Sequence, residues 1–375
     1  MADPVQQQMT ATEVITVSRE RPVRKGANVS VSRSDVEFRG DTATIPAGKP
    51  VRMEYTIRSG QGFRWLADGS GFFTAFHCEA WMICDPDPGE RATLRLEVAA
   101  PVRTGWTVAG PGNLRERRRA DGYDYFVFEE TVPAQTYLFS FGAAVVTKFE
   151  RDGFVVYARD KDQAAVVEKT RDAWTFLRAK AGADSGHRVY AQAFLPNTRL
   201  AQEASGIALM GEAYRARLAG EEDDVALMAH EAAHQWWGVL VGIRSWSDFW
   251  LNEGMAEFFT AAYLEHRKGR PAYDRHLASL KEQLAAIRDK GADRPLHWTG
   301  WTTAREALGR LPYVKGAVFL DLLRGQMGED AFWRGIAEYT TRHAGKLVES
   351  RDFQASMEAA AKGSLSQLFD DWVYR

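Results

Sequence analysis

Two regimes of hydrophobic periodicity divide this chain. From about residue 12 to 157, apolar residues come in short runs or alternate with polar ones, as in EVITVSR, VRMEYTIR, TLRLEVAA, YDYFVFEE and GFVVYAR, with Gly, Pro and Asp between them. A period of two sends successive side chains to opposite faces of a strand, so this stretch predicts an all-β domain. Near Ala158 the period lengthens. DQAAVVEKTRDAWTFLRAKAG sets Ala164, Val167, Ala173, Phe176 and Leu177 at near-helical spacing and ends at Gly182, a residue suited to the left-handed turn that closes helices. HRVYAQAFLP reads as one further strand, and most of the chain beyond it reads as helix. EEDDVALMAHEAAHQWWGVL has Asp223 or Asp224 to cap it, a second helix begins near Asn252, and PAYDRHLASLKEQLAAIRDKG carries Pro271 at its start. After a loop, with Thr302 or Thr303 as a cap, GAVFLDLLRGQMG, DAFWRGIAEYTTRHAG and RDFQASMEAAAKG are helices that end in glycine. The pattern predicts an α+β chain, with a β domain over residues 1–157 and a mainly helical domain over 158–375.

The helix in EEDDVALMAHEAAHQWWGVL carries the chemistry. His230 and His234 stand four residues apart and so lie on one face, from which both imidazoles reach a single metal ion at the ~2.0–2.1 Å typical of zinc–nitrogen bonds. Glu231 then points beside the ion rather than at it. Glu253, in the first turn of the next helix, supplies a third ligand and leaves one position open for water. The expected cofactor is therefore one Zn2+, held by His230, His234 and Glu253. Glu231 is the natural base for the water, and Glu257, one turn beyond Glu253, faces the same side and is a candidate to hold a zinc histidine from behind.

His230-Glu231-x-x-His234, eighteen further residues and then Glu253 within Asn252-Glu253-Gly254 resemble the M1 family of zinc aminopeptidases, a branch of the thermolysin-like gluzincins. HQWWG and WSDFWLNEGMAEF extend the likeness, and Tyr313-Val314-Lys315-Gly316 looks like the family's Tyr-x-Lys-Gly motif. The resemblance implies a saddle-like N-terminal sheet, a thermolysin-like zinc peptidase domain, a peptide substrate losing its N-terminal residue, Glu231 as general base and Tyr313 as a stabiliser of the transition state. Leu200 to Ile207 falls where the family carries Gly-Ala-Met-Glu-Asn. By that likeness Glu203 holds the substrate's free amine, and Gly206 belongs to the same substrate-binding segment. Phe76 to Asp85 looks like the family's Pro-Cys-x-Asp-x-Pro segment. The chain departs from the pattern at Ala204 and Val239, where asparagine is usual, and at Thr74, near which relatives carry Gln or Glu as a second amine anchor. Its end near the close of the family's catalytic domain implies a short form lacking the C-terminal helical domain.

Composition narrows the partners. The 375 residues carry a formal net charge of -2, so no basic footprint points to nucleic acid or an anionic membrane. The basic run Arg115 to Arg119 reads as a solvated hairpin tip. Cys78 and Cys84 are too few for a disulfide framework and offer no second zinc site, and His77, His266, His276, His297 and His343 lie outside any ligand spacing, with structural, surface or capping roles sufficient for them. No eighteen-residue apolar run and no signal-peptide pattern occur, which predicts a cytoplasmic protein, or a periplasmic or secreted one if a leader was removed. Two other readings stand beside an aminopeptidase. One is a related hydrolase with endopeptidase habit or a non-peptide substrate. The other is a binding or scaffold protein without turnover, against which the complete set His230, Glu231, His234, Glu253 and Tyr313 counts. Oligomeric state is not legible.

Overall fold

The computed structural model describes residues 1–159, 162–220 and 222–375. It is an α+β chain with a β-rich N-terminal region followed by helices. Two compact units are present: Met1–Ala164 with Arg188–Ala216, and Ala165–His187 with Arg217–Arg375. This division differs from a single cut at 157, and the reason is hydrogen bonding. Tyr190–Leu195 pairs in parallel with Phe154–Ala158, and Ile207–Gly211 pairs in parallel with Tyr190–Leu195, so residues 188–216 stay with the strands before them.

In the first unit, Val51–Arg58 alternates buried and more exposed positions between the antiparallel strands Gln8–Ile15 and Val29–Ser34, as expected of a sheet with one face on a core. Asn113–Ala120 and Tyr123–Ala134 form a long hairpin. The turn is made by Asp121 and Gly122, both at positive φ, a geometry that matches the twist of the flanking strands. Arg115 to Arg119 therefore lie along a strand rather than at a tip. Arg115, Arg118 and Arg119 are ion-paired with Glu129, Glu97 and Asp124. Val155, Tyr157, Leu195, Ile207 and Leu209 are buried in a core shared with Leu66 and Phe73. The two cysteines are not separate thiols: Cys78 and Cys84 form a disulfide.

The second unit is helical. Helices span Gln163–Ala181, most of which lies here, Ala226–Ala233, Trp250–Lys268, Arg270–Asp289, Arg310–Met327, Glu329–His343 and Ser350–Ala361. Trp236, Trp237 and Trp250 are fully buried, and Trp237 stacks on Phe259 with ring centroids 3.7 Å apart. Each such indole removes ~150–250 Å² from water, worth roughly 4–6 kcal/mol at ~25 cal/mol/Å². Thr303 closes a capping box with Glu306. The histidine helix is shorter than its apolar pattern suggests, because it ends at Ala233 and leaves His234 as its C-cap. Conversely, the helix expected from Gly316 begins at Arg310, which puts Tyr313 inside its first turn. Pro312 sits there at no cost, since the first turn leaves backbone N–H groups without helical partners.

Candidate metal centre

The centre is built where the histidine helix meets the start of the Trp250–Lys268 helix. His234 is buried, and its Nδ1 lies 3.2 Å from the Trp237 carbonyl oxygen. A carbonyl only accepts, so Nδ1 carries the proton and Nε2 keeps its lone pair. His230 presents Nδ1 toward the Glu257 carboxylate at 3.7 Å, which leaves its Nε2 on the inner side as well. The two Nε2 atoms are 3.2 Å apart, and each is 3.4 Å from Oε2 of Glu253.

Three lone-pair donors facing one another repel unless a cation stands between them. A tetrahedral ion with ligands at ~2.0–2.1 Å needs donor atoms ~3.3 Å apart, and the triangle here has edges of 3.2, 3.4 and 3.4 Å. Glu253 is 1% exposed, and neither of its carboxylate oxygens takes a hydrogen bond among the described residues. A buried carboxylate with no hydrogen-bond donor among the described residues fits a divalent cation, and this donor set suits zinc.

Beside the triangle, a carboxylate oxygen of Glu231 lies within 4.8 Å of a His234 ring nitrogen, and Glu231 is itself buried. The ring of Tyr313 runs parallel to that of His230, with centroids 6.1 Å apart and an interplanar angle of 6°. Lys315, two residues on, buries its ammonium against Asp293 Oδ1 at 2.8 Å and the Arg294 carbonyl at 2.6 Å, pinning this helix to the loop before it. Desolvation lowers the Lys315 pKa, and its contact with Asp293 offsets part of that.

The remaining substrate-site candidates belong to the first unit. Glu203 is buried in Ala201–Ala204, which among the described residues is an edge strand of a five-stranded sheet. Gln202 points its amide nitrogen at Glu203 Oε2 from 3.2 Å. Gly206 has φ +72° in the tight connection between Ala204 and Ile207, so its backbone conformation alone calls for glycine. Thr74 is spent structurally: its hydroxyl donates to the Phe141 carbonyl at 3.3 Å and accepts from the Phe141 N–H at 2.9 Å.

Two histidines set aside in the sequence are built into the surroundings of the centre. His276 lies 2.9 Å from Glu257 Oε1. His297 donates through Nδ1 to the fully buried Asp248 at 2.8 Å, and that contact with Asp248, partly opposed by burial, raises the His297 pKa. Asp248 Oδ1 also accepts from the N–H and hydroxyl of Ser350 at 3.0 and 2.6 Å, which fixes the approach to the helix that carries Glu253. No spacing in the sequence signals these pairs, because each joins residues at least nineteen apart on different elements.

Residues 203–372 match the peptidase family M1 domain. Leucine aminopeptidase 2 of Aspergillus fumigatus is 26% identical over 321 residues, which are 80% of this chain and 51% of that protein. Aminopeptidase N of Streptomyces lividans is 27% identical over 320 residues, 76% of this chain and 35% of that one. The chain thus spans about half the length of these curated relatives or less. Among solved structures, an M1 zinc metallopeptidase from Deinococcus radiodurans superimposes with a TM-score of 0.78 at 19% identity, covering 98% of this chain and 88% of that chain. That is a likeness of fold.

Proposed function

Because this chain is a member of peptidase family M1, we propose that it is a zinc-dependent peptidase that releases the N-terminal residue of a peptide, with His230, His234 and Glu253 as the metal ligands. The observation that carries the reading is the triangle formed by two imidazole nitrogens and a buried carboxylate oxygen, with edges of 3.2–3.4 Å. Zinc held by these residues would supply Lewis acidity, for polarising the scissile carbonyl and lowering the pKa of a water toward ~7.

The chain's own groups then move the protons. Glu231 takes a proton from the attacking water as its oxygen bonds to the carbonyl carbon. It hands that proton to the peptide nitrogen as the C–N bond breaks, since an amide nitrogen does not leave unprotonated. The phenol of Tyr313 donates a hydrogen bond to the oxyanion that develops. Glu203 offers its carboxylate to the substrate's α-ammonium, a charge that needs an anion once it is desolvated. The edge strand Ala201–Ala204 offers backbone groups to an extended peptide, and Gly206 makes the turn that places that strand at the edge. The names of the curated relatives favour the exopeptidase reading over endopeptidase cleavage.

Metal analysis, paired with a panel of aminoacyl-coumarin substrates read with and without chelator, tests the metallopeptidase. The expected result is one zinc per chain and activity abolished by chelation. Free-amine and N-acetylated versions of one fluorogenic peptide test the exopeptidase, because equal rates remove it.

A further inference from the structure

Resting on the zinc-site reading above, we propose that His276 is a positioning residue for the metal centre: it locks the Glu257 carboxylate behind His230 and thereby sets how tightly zinc is held. Glu257 follows Glu253 by one helical turn and is 8% exposed. Its Oε1 faces His276 Nε2 at 2.9 Å, and a carboxylate only accepts, so that nitrogen carries the proton. Its other oxygen, Oε2, lies 3.7 Å from His230 Nδ1 and 3.7 Å from Nη1 of Arg310.

At 3.7 Å the contact with His230 is longer than a hydrogen bond. It is an electrostatic contact whose strength depends directly on where the carboxylate sits. Two groups compete for that position. Arg310 draws Glu257 outward, for its guanidinium is half exposed, bonds Gln283 Oε1 at 2.9 Å and lies over the Tyr313 ring at 5.3 Å. His276, on the Arg270–Asp289 helix and 20% exposed in its side chain, is the only described partner of Glu257 at hydrogen-bond distance. Removing it frees the carboxylate to swing toward Arg310 and away from His230. Outer partners of this kind orient a ligand imidazole and raise its basicity.

The test is zinc affinity, measured by chelator competition on the full chain for wild type, His276→Ala and His276→Gln, together with the melting temperature of each zinc-free form. His276→Ala should weaken zinc binding ~10–100-fold with the zinc-free melting temperature unchanged. His276→Gln, whose amide N–H can still reach Glu257, should recover most of the loss. Glu257→Gln should match His276→Ala, and the double variant should be no worse than either single, since all three break one line of contacts. The proposal is overturned if His276→Ala binds zinc within about threefold of wild type, well below that range, or if the zinc-free form melts lower in proportion to its loss of affinity. A wild type that takes no zinc removes the metal centre itself, whereas a wild type holding one zinc beside an equally tight His276→Ala removes the role of His276 alone.

Discussion

Gly254 and Gly316 meet across the crossing of two helices, with backbones so close that a Cβ built on either one would stand 2.7 Å from the Cα of the other. Each glycine costs its helix ~1 kcal/mol relative to alanine. The close approach is what that cost secures, because Gly254 follows Glu253, the proposed ligand, and Gly316 lies one turn after Tyr313. The crossing fixes the distance between the carboxylate and the phenol. Replacing either by alanine should destabilise the protein by ~1–3 kcal/mol through overpacking and lower kcat at saturating zinc. Gly325, on the same helix with nothing within 4 Å of a built Cβ, is the control: Gly325→Ala should stabilise by ~0.5–1 kcal/mol. Urea melts of the three variants decide the matter, and a neutral Gly316→Ala would mean that the helices need no such contact.

Glu231→Gln keeps the side chain's size and removes its basicity. Zinc content should stay at one per chain while kcat falls ~10²–10⁴-fold, the usual contribution of a positioned acid–base group. A variant that cleaves peptides at the wild-type rate ends the base assignment.

Tyr313→Phe leaves the ring parallel to His230 and deletes only the donor. Since that donor acts on charge present in the transition state, kcat should drop by roughly 10²-fold with KM nearly constant. A changed KM with an unaltered kcat would move Tyr313 from chemistry to substrate binding.

What the sequence made legible is what depends on local spacing. The four-residue step from His230 to His234 and the helix start before Glu253 are enough to bring three donors together, and alternating strands followed by helical periods are enough for the α+β class. Parallel pairing was not legible, because nothing in HRVYAQAFLP tells which strand it joins, and that pairing keeps residues 188–216 with the first unit. The partners behind the centre were hidden for the same reason. His276 reaches Glu257 from a neighbouring helix, and His297 reaches Asp248 across 49 residues of chain. Helix ends also escaped the pattern: Lys362 rather than Gly363 takes the left-handed C-cap, at φ 55°.

Cys78 and Cys84 are six residues apart in sequence, so their disulfide closes a short loop, and the loop-entropy relation puts its contribution at roughly 2 kcal/mol. Thiol titration of the denatured, unreduced protein should find no free thiol, and the Cys78→Ser/Cys84→Ser pair should lose about that much stability in urea. Bonds of this kind form and persist in oxidising compartments. Among the described residues no helix is long and apolar enough to cross a membrane. Two free thiols in the native protein would mean that the bond does not form.

Stability should also carry a pH signature from Glu13. This carboxylate accepts hydrogen bonds from the Ile83 N–H at 2.8 Å and the Tyr55 hydroxyl at 2.9 Å. Burial raises its pKa from 4.5 to about 7, and the two hydrogen bonds offset that only in part. Between those two values the folded protein keeps a proton that the unfolded chain has released. The stabilisation is therefore complete below pH 4.5 and lost as pH rises through about 7. A shift of this size corresponds to ~3 kcal/mol, which solvent reaching the partly buried residue reduces to roughly 1–2 kcal/mol. Glu13→Gln mimics the protonated acid at every pH. It should match wild type in urea melts near pH 4.5 and exceed it by roughly 1–2 kcal/mol at pH 8. A gap between the two proteins that stays constant from pH 4.5 to 8 would show that Glu13 titrates alike in the folded and unfolded chain.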